Sequence, residues 1–168
     1  MTDPAIIQKK IETIVPQVAE ENEQIEDTLE KLVSEEIRNK ITFHLNQISQ
    51  NNISEKSVEI SNYLGNHGFI RWFSRVLVQR RAALENSMQL NYVNLLKAIN
   101  QRNLYSHVTK ESYLFLRHLL NNQNEKQNDK NVMKNIGTFI GQITLARNKP
   151  IIIKYLNVKN LLTDAFKH

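Results

Sequence analysis

The sequence predicts an all-α protein, and three observations carry that reading. Apolar residues recur at the 3.6-residue helical period in nearly every segment. No stretch alternates at period two between hairpin turns, and 4 glycines and 3 prolines leave little material for sheet turns. At 168 residues and 40% hydrophobic side chains, the chain suits one domain with a substantial core.

The elements follow in order. Residues 4–34 read as one or two acidic amphipathic helices, with Ile6, Ile7, Ile11 and Ile14 before Pro16 and Ile25, Leu29 and Leu32 after it. A first strong helix is expected from about Glu35 to Gln50, with Ile37, Ile41, Leu45 and Ile48 on one face. A turn at Asn51-Asn52 follows, and Ser54 is placed to cap a second helix ending near Leu64. The sequon at Asn52 is read in the same way, as a turn before a cap.

Gly65 and Gly68 are expected to break the chain ahead of a third helix carrying Phe69, Ile70, Phe73, Val76, Leu77 and Leu84. Asn86 or Ser87 caps a fourth, striped by Met88, Tyr92, Leu95, Leu96 and Ile99. Thr109 is expected to cap a fifth, whose apolar face is YLFLRHLL. The polar run of residues 121–131 reads as a flexible loop. A sixth helix then holds Val132, Ile136, Phe139, Ile140 and Ile143 and must finish before Pro150, and residues 157–166 begin a seventh.

Helix starts near 35, 54, 68, 87, 109, 131 and 157 pair into antiparallel hairpins repeating at roughly 33 to 44 residues, near the HEAT range. The expected architecture is an α-solenoid of HEAT-like helix pairs over residues 35–168, preceded by an acidic helical extension over residues 1–34. The last repeat has only its first helix, so the domain is expected to be truncated at its C-terminal end.

Charge divides along the same line. Residues 1–36 carry 10 acids against 3 bases, whereas residues 37–168 carry 7 acids against 19 bases. A basic body attracts RNA or an acidic protein surface. The aromatics fall mostly on apolar stripes rather than on an exposed platform, so direct RNA binding is expected to be weak or absent.

The chemistry-bearing motifs of enzymes are missing: no GxxxxGK[ST], no HExxH, no GxSxG and no paired carboxylates in apolar company. The five histidines lack ligand spacing, and His44 reads as a packed or surface residue. No catalysis, cofactor or metal is therefore expected. The chain has no cysteine and no apolar run near the roughly 18 residues a membrane span needs. A soluble protein of a reducing compartment, cytoplasm or nucleus, is expected.

Two surface clusters stand out. Arg71, Trp72, Arg75, Arg80, Arg81 and Glu85 combine the residue types most enriched at interface hot spots. Arg147, Asn148 and Lys149 form a basic stub ahead of Pro150. Upstream of the stub, Gly137 and Gly141 share a helix face, and tight packing against another backbone would offset the roughly 1 kcal/mol that each glycine costs a helix.

The segments KITFHLNQIS (40–49), RWFSRVLVQRRAALE (71–85), NYVNLL (91–96) and NVMKNIGTFIGQITLARNKPIIIKYLNVKNLLTDAF (131–166) stand in an order and spacing that resembles one family. It is the central domain of the Not scaffold, the largest subunit of the CCR-NOT deadenylase complex, built like the middle domain of translation initiation factor 4G. The glycine-bearing helix with its RNKP exit is the most diagnostic part. Glu85-Asn86-Ser87 departs from the family's Glu-Pro-Asn-like turn.

The resemblance implies a non-catalytic scaffold whose partners are a Caf-type deadenylase, a DEAD-box RNA helicase and other CCR-NOT subunits, and which links poly(A) shortening to translational repression and mRNA decay. It places Arg71, Trp72, Arg75, Arg80, Arg81 and Glu85 in an early-repeat docking ridge and Arg147, Asn148 and Lys149 in an exposed exit turn. The alternative is an initiation-factor-type module that binds a helicase and RNA.

Overall fold

The computed structural model describes residues 33–65, 67–121, 127–151 and 157–160. Most of the acidic extension, and the seventh helix beyond residue 160, lie outside them. Among the described residues the secondary structure is entirely helical. Six α-helices follow one another: α1 (Glu35–Asn46), α2 (Ile53–Ser61), α3 (His67–Arg75), α4 (Gln89–Ile99), α5 (Arg102–Asn121) and α6 (Gln127–Ile143). They pack as three pairs, α1 with α2, α3 with α4 through the segment that extends α3, and α5 with α6. Across the pairs, α2 and α6 both lie against α4, and α3 lies against α5, so successive hairpins stack in two layers. This is the expected solenoid.

The chemistry of each element explains its limits. Ser34 caps α1, its Oγ accepting from the Ile37 amide at 3.4 Å, and Glu35 and Glu36 complement the helix dipole in the first turn. Val33 is already buried, so the domain starts just inside the segment read as extension. The α1 helix stops at Asn46, short of the expected Gln50, because the Asn52 side chain closes the next turn. Its Oδ1 accepts from the Ser49 amide and its Nδ2 donates to the Gln47 carbonyl, both at 2.8 Å. Ser54 consequently lies inside the first turn of α2 rather than capping it.

The two faces meet in one core in which Ile41, Leu45, Ile60, Phe73, Leu77, Tyr92, Leu95, Ile136 and Phe139 are all fully buried.

Four expectations need correction. Gly68 does not break the chain; it belongs to the first turn of α3. Thr109 does not cap a helix. The chain reverses earlier, at Asn100 in the left-handed region (φ 50°), and α5 starts at Arg102. Thr109 and Ser112 lie mid-helix and donate back to the carbonyls of Tyr105 and Val108, both at 2.8 Å. The helix α6 starts at Gln127, inside the run read as a loop.

Finally, the glycines of α6 make no packing contact among the described residues: a Cβ built on Gly137 or Gly141 would meet none of them within 4 Å. Gly137 is exposed, at the edge of the buried stripe of Ile136, Phe139, Ile140 and Ile143.

Candidate functional site

The early ridge is shaped by an irregularity. After Arg75 the helix continues as a π-helical segment, Val76–Ala82, in which the Ala83 amide reaches back to the Val78 carbonyl at 3.0 Å. Wide turns of this kind recur at functional positions. Here the widening is held by two side-chain amides from other elements. Gln89 Nε2 donates to the carbonyls of Ala82 and Asn135, each at 2.8 Å, and Asn135 Nδ2 donates to the Ala83 carbonyl at 2.8 Å. The clamp satisfies terminal carbonyls of the segment and ties α3, α4 and α6 together.

This geometry divides the residues of the expected ridge. Arg71 and Trp72 are buried, not on the surface, and Arg38 of α1 lies over the indole at 5.5 Å. Arg75 is half-buried. Arg81 and Glu85 pair with each other at 2.8 Å. Arg81 also donates to Asn46 Oδ1 at the end of α1, and Glu85 accepts from the Tyr92 hydroxyl. Burial, and then the neighbouring carboxylate, hold the Tyr92 phenol far above its usual range.

Arg80 alone of the six is exposed and, among the described residues, free of hydrogen bonds and ion pairs. One helical turn on is Leu84, read from the sequence as part of the apolar stripe but 64% exposed. On α1, Phe43, one turn before Asn46, is also largely exposed. Sequence reasoning missed both; Phe43 falls off the Ile37, Ile41, Leu45 face, which is the signal that would have found it.

The exit turn lies at the other end of α6. Leu145–Arg147 form one 3-10 turn, Asn148 takes the left-handed conformation (φ 55°), and the Lys149 amide closes on the Thr144 carbonyl at 3.0 Å. The Arg147 guanidinium and the Lys149 ammonium each lie 4.4 Å from the ring centroid of Tyr105 on α5. The Tyr105 hydroxyl donates to the Ile143 carbonyl. Asn148 and Lys149 are exposed and Arg147 is half-buried. The exit turn is thus organised against α5.

His44 is half-buried, with Nδ1 2.8 Å from Glu59 Oε2 and its ring stacked on Tyr63. Lys56 Nζ meets the same carboxylate at 2.7 Å. These contacts join α1 to α2. Among the described residues no three His, Asp or Glu side chains gather as a metal site requires, and no helix is long and apolar enough to cross a membrane.

Residues 29–168 match the family described as the CCR4-NOT transcription complex subunit 1 CAF1-binding domain. The chain belongs to that family. The match spans every described helix, the π segment and the exit turn. Over 140 residues the chain is 32% identical to the CCR4-NOT transcription complex subunit let-711 of Caenorhabditis elegans, covering 79% of this chain and 5% of that protein. It is 30% identical over 134 residues to the general negative regulator of transcription subunit 1 of Schizosaccharomyces pombe, covering 79% of this chain and 6% of the relative. It is 31% identical over 128 residues to the protein of the same description in Saccharomyces cerevisiae, covering 76% and 6%. The chain therefore corresponds to a small part of these much longer relatives.

Proposed function

We propose that the domain is the docking module of a CCR4-NOT scaffold subunit, which carries no chemistry of its own and holds a Caf-type deadenylase. The observation that carries this reading is the match to the CAF1-binding domain family across residues 29–168. Exposed Arg80 and Leu84, one turn apart on the corner fixed by the Gln89–Asn135 clamp, supply a charged and an apolar anchor on a rigid support. Of the residues the sequence assigns to the ridge, Arg80 makes the direct contact. Arg81 and Glu85 position its turn, and Arg71, Trp72 and Arg75 support it from within.

On the same family resemblance, the proposal extends to a DEAD-box helicase as a second partner and to other subunits of the complex. The module then couples poly(A) shortening to translational repression and mRNA decay in the cytoplasm. Arg147, Asn148 and Lys149 are the late-repeat residues that support this second contact.

The test is titration calorimetry of the chain against a purified Caf-type deadenylase, with wild type compared with Arg80→Glu and Leu84→Asp. Saturable binding weakened about tenfold or more in both folded variants is expected. Wild type without affinity for the deadenylase sinks the docking reading, and wild-type affinity in both variants moves the contact elsewhere. Preferential, steeply salt-dependent binding of oligo(A) by the chain alone would favour the initiation-factor-type alternative.

A further inference from the structure

The exit turn, α5 and the end of α4 enclose a cleft of about 480 Å³ that docking of the deadenylase at the early ridge does not explain. Its walls carry Lys97, Arg102, Lys110, Arg147 and Lys149 around Tyr105, and among the described residues no aspartate or glutamate lines it. None of the five cations pairs with a carboxylate among the described residues. Arg147 and Lys149, each 4.4 Å from the same ring centroid, lie within twice that distance of each other. That upper bound is close to the Debye length of about 8 Å at physiological salt, so their repulsion is at most partly screened. Arg147 Nη1 is buried and meets no acceptor among the described residues.

The geometry points to a binding site for a compact polyphosphate, a ligand with two or more phosphate groups close together. A phosphate carries up to two charges and accepts several hydrogen bonds, so two or three phosphates match the five cationic residues that line the cleft, which a single carboxylate would leave mostly unneutralised. The cleft lies within the roughly 300–1,000 Å³ of small-ligand sites. A single-stranded nucleic acid would instead need an open aromatic face for its bases. Tyr105 does not offer one, because the guanidinium and the ammonium stand against its ring. Behind the cleft the Tyr105 hydroxyl is tied to Ile143, which fixes the ring that holds the two cations in place.

This site is independent of deadenylase docking and stands or falls separately from it. The probe is sodium tripolyphosphate, titrated calorimetrically into the full chain at fixed, near-physiological ionic strength, with thermal denaturation read alongside. One saturable site per chain and a raised Tm are expected. Lys149→Glu and Lys110→Glu, each folded by circular dichroism, should weaken binding about tenfold or more, since each sets a like charge against the ligand. Lys130→Glu makes the same change of net charge near the start of α6, about 20 Å of helix from Ile143, and should leave binding unchanged.

Absence of saturable heat overturns the proposal. So does equal weakening by all three variants, which would mean that net charge alone attracts the anion. Tighter binding of oligo(A) that displaces tripolyphosphate would likewise overturn it and make the cleft part of an RNA surface.

Discussion

At the early ridge the fold uses its cations internally: Arg71 is buried, Arg81 bridges Glu85 and Asn46, and only Arg80 faces solvent unpaired. At the exit turn Arg147 and Lys149 crowd one tyrosine with no carboxylate beside them among the described residues. Both clusters look alike in sequence, as arginines and lysines near a helix end. What separates them is whether acceptors from other elements reach them. Removing a paired or buried cation from the ridge should therefore damage the fold, whereas removing one from the exit turn should change what the fold can bind.

The largest effect is expected where the ridge is clamped. Gln89→Leu deletes both bonds from a side chain that is 1% exposed, one to Ala82 and one to Asn135. A loss of about 2 kcal/mol is expected in urea denaturation, since buried carbonyls lose their donors. Unchanged stability would mean that the π segment holds itself and the clamp is incidental. Arg81→Met comes next, at about 1 kcal/mol, because Glu85 is left beside Tyr92 without its cation. Restoration by Arg81→Lys should be partial, as lysine cannot reach Glu85 and Asn46 as one fork.

A third charge set, on the α1–α2 hairpin, sharpens the comparison through pH. The hydrogen bond from Lys56 and the proximity of His44 outweigh partial desolvation and hold the Glu59 carboxyl below its ordinary value. A depressed carboxylate contributes stability that is present above the unfolded-state value of about 4.3 and is lost as pH falls through the folded one. Acid unfolding should therefore lose part of its slope below about pH 4 in Glu59→Gln. An identical acid limb in the variant would show that these contacts are solvated and inert, like most surface pairs.

Much of this architecture was legible because it rests on period alone. The stripes of Ile37, Ile41 and Leu45, of Tyr92, Leu95 and Leu96, and of Ile136, Phe139 and Ile140 face the core as read. The exit before Pro150 was also legible, since proline ends a helix wherever it falls. What escaped depends on partners distant in sequence. The π segment is stabilised by Gln89 and Asn135, which no local pattern announces. Thr109 is an N-cap by type but bonds backwards by context. Trp72 is of a residue type enriched at hot spots, but it is buried, with Arg38 of another helix over its ring. Local chemistry thus located the clusters, and tertiary neighbours decided which cations remained available.

The helix that joins the two regions offers a smaller test. Gly137 lies between Asn135, which serves the clamp, and Thr144, which begins the exit turn. Among the described residues no neighbour occupies the space of its missing Cβ. Gly137→Ala should therefore stabilise the domain by about 0.5–1 kcal/mol, through helix propensity and reduced freedom of the unfolded chain. If the same variant weakens deadenylase binding, the open face of α6 is where a partner's backbone approaches, and the glycine serves the complex rather than the fold. Destabilisation of the free chain would instead restore the packing role read from the sequence.

The smallest effect is expected at the exit turn. Lys149 is exposed, pairs with no carboxylate among the described residues and shares one aromatic ring with Arg147. In Lys149→Gln the lost cation–π contact and the relieved repulsion oppose each other. Both are worth about 0.5 kcal/mol at a surface, so stability should stay within that margin of wild type. Salt separates the two terms, since it screens repulsion between charges but has little hold on ring contact at 4.4 Å. Wild type should gain slightly more than the variant as sodium chloride is raised. A variant that is clearly destabilised, with no difference in salt response, would place Lys149 in the same class as Arg81, as a cation the fold consumes, and would erase the distinction between the two clusters.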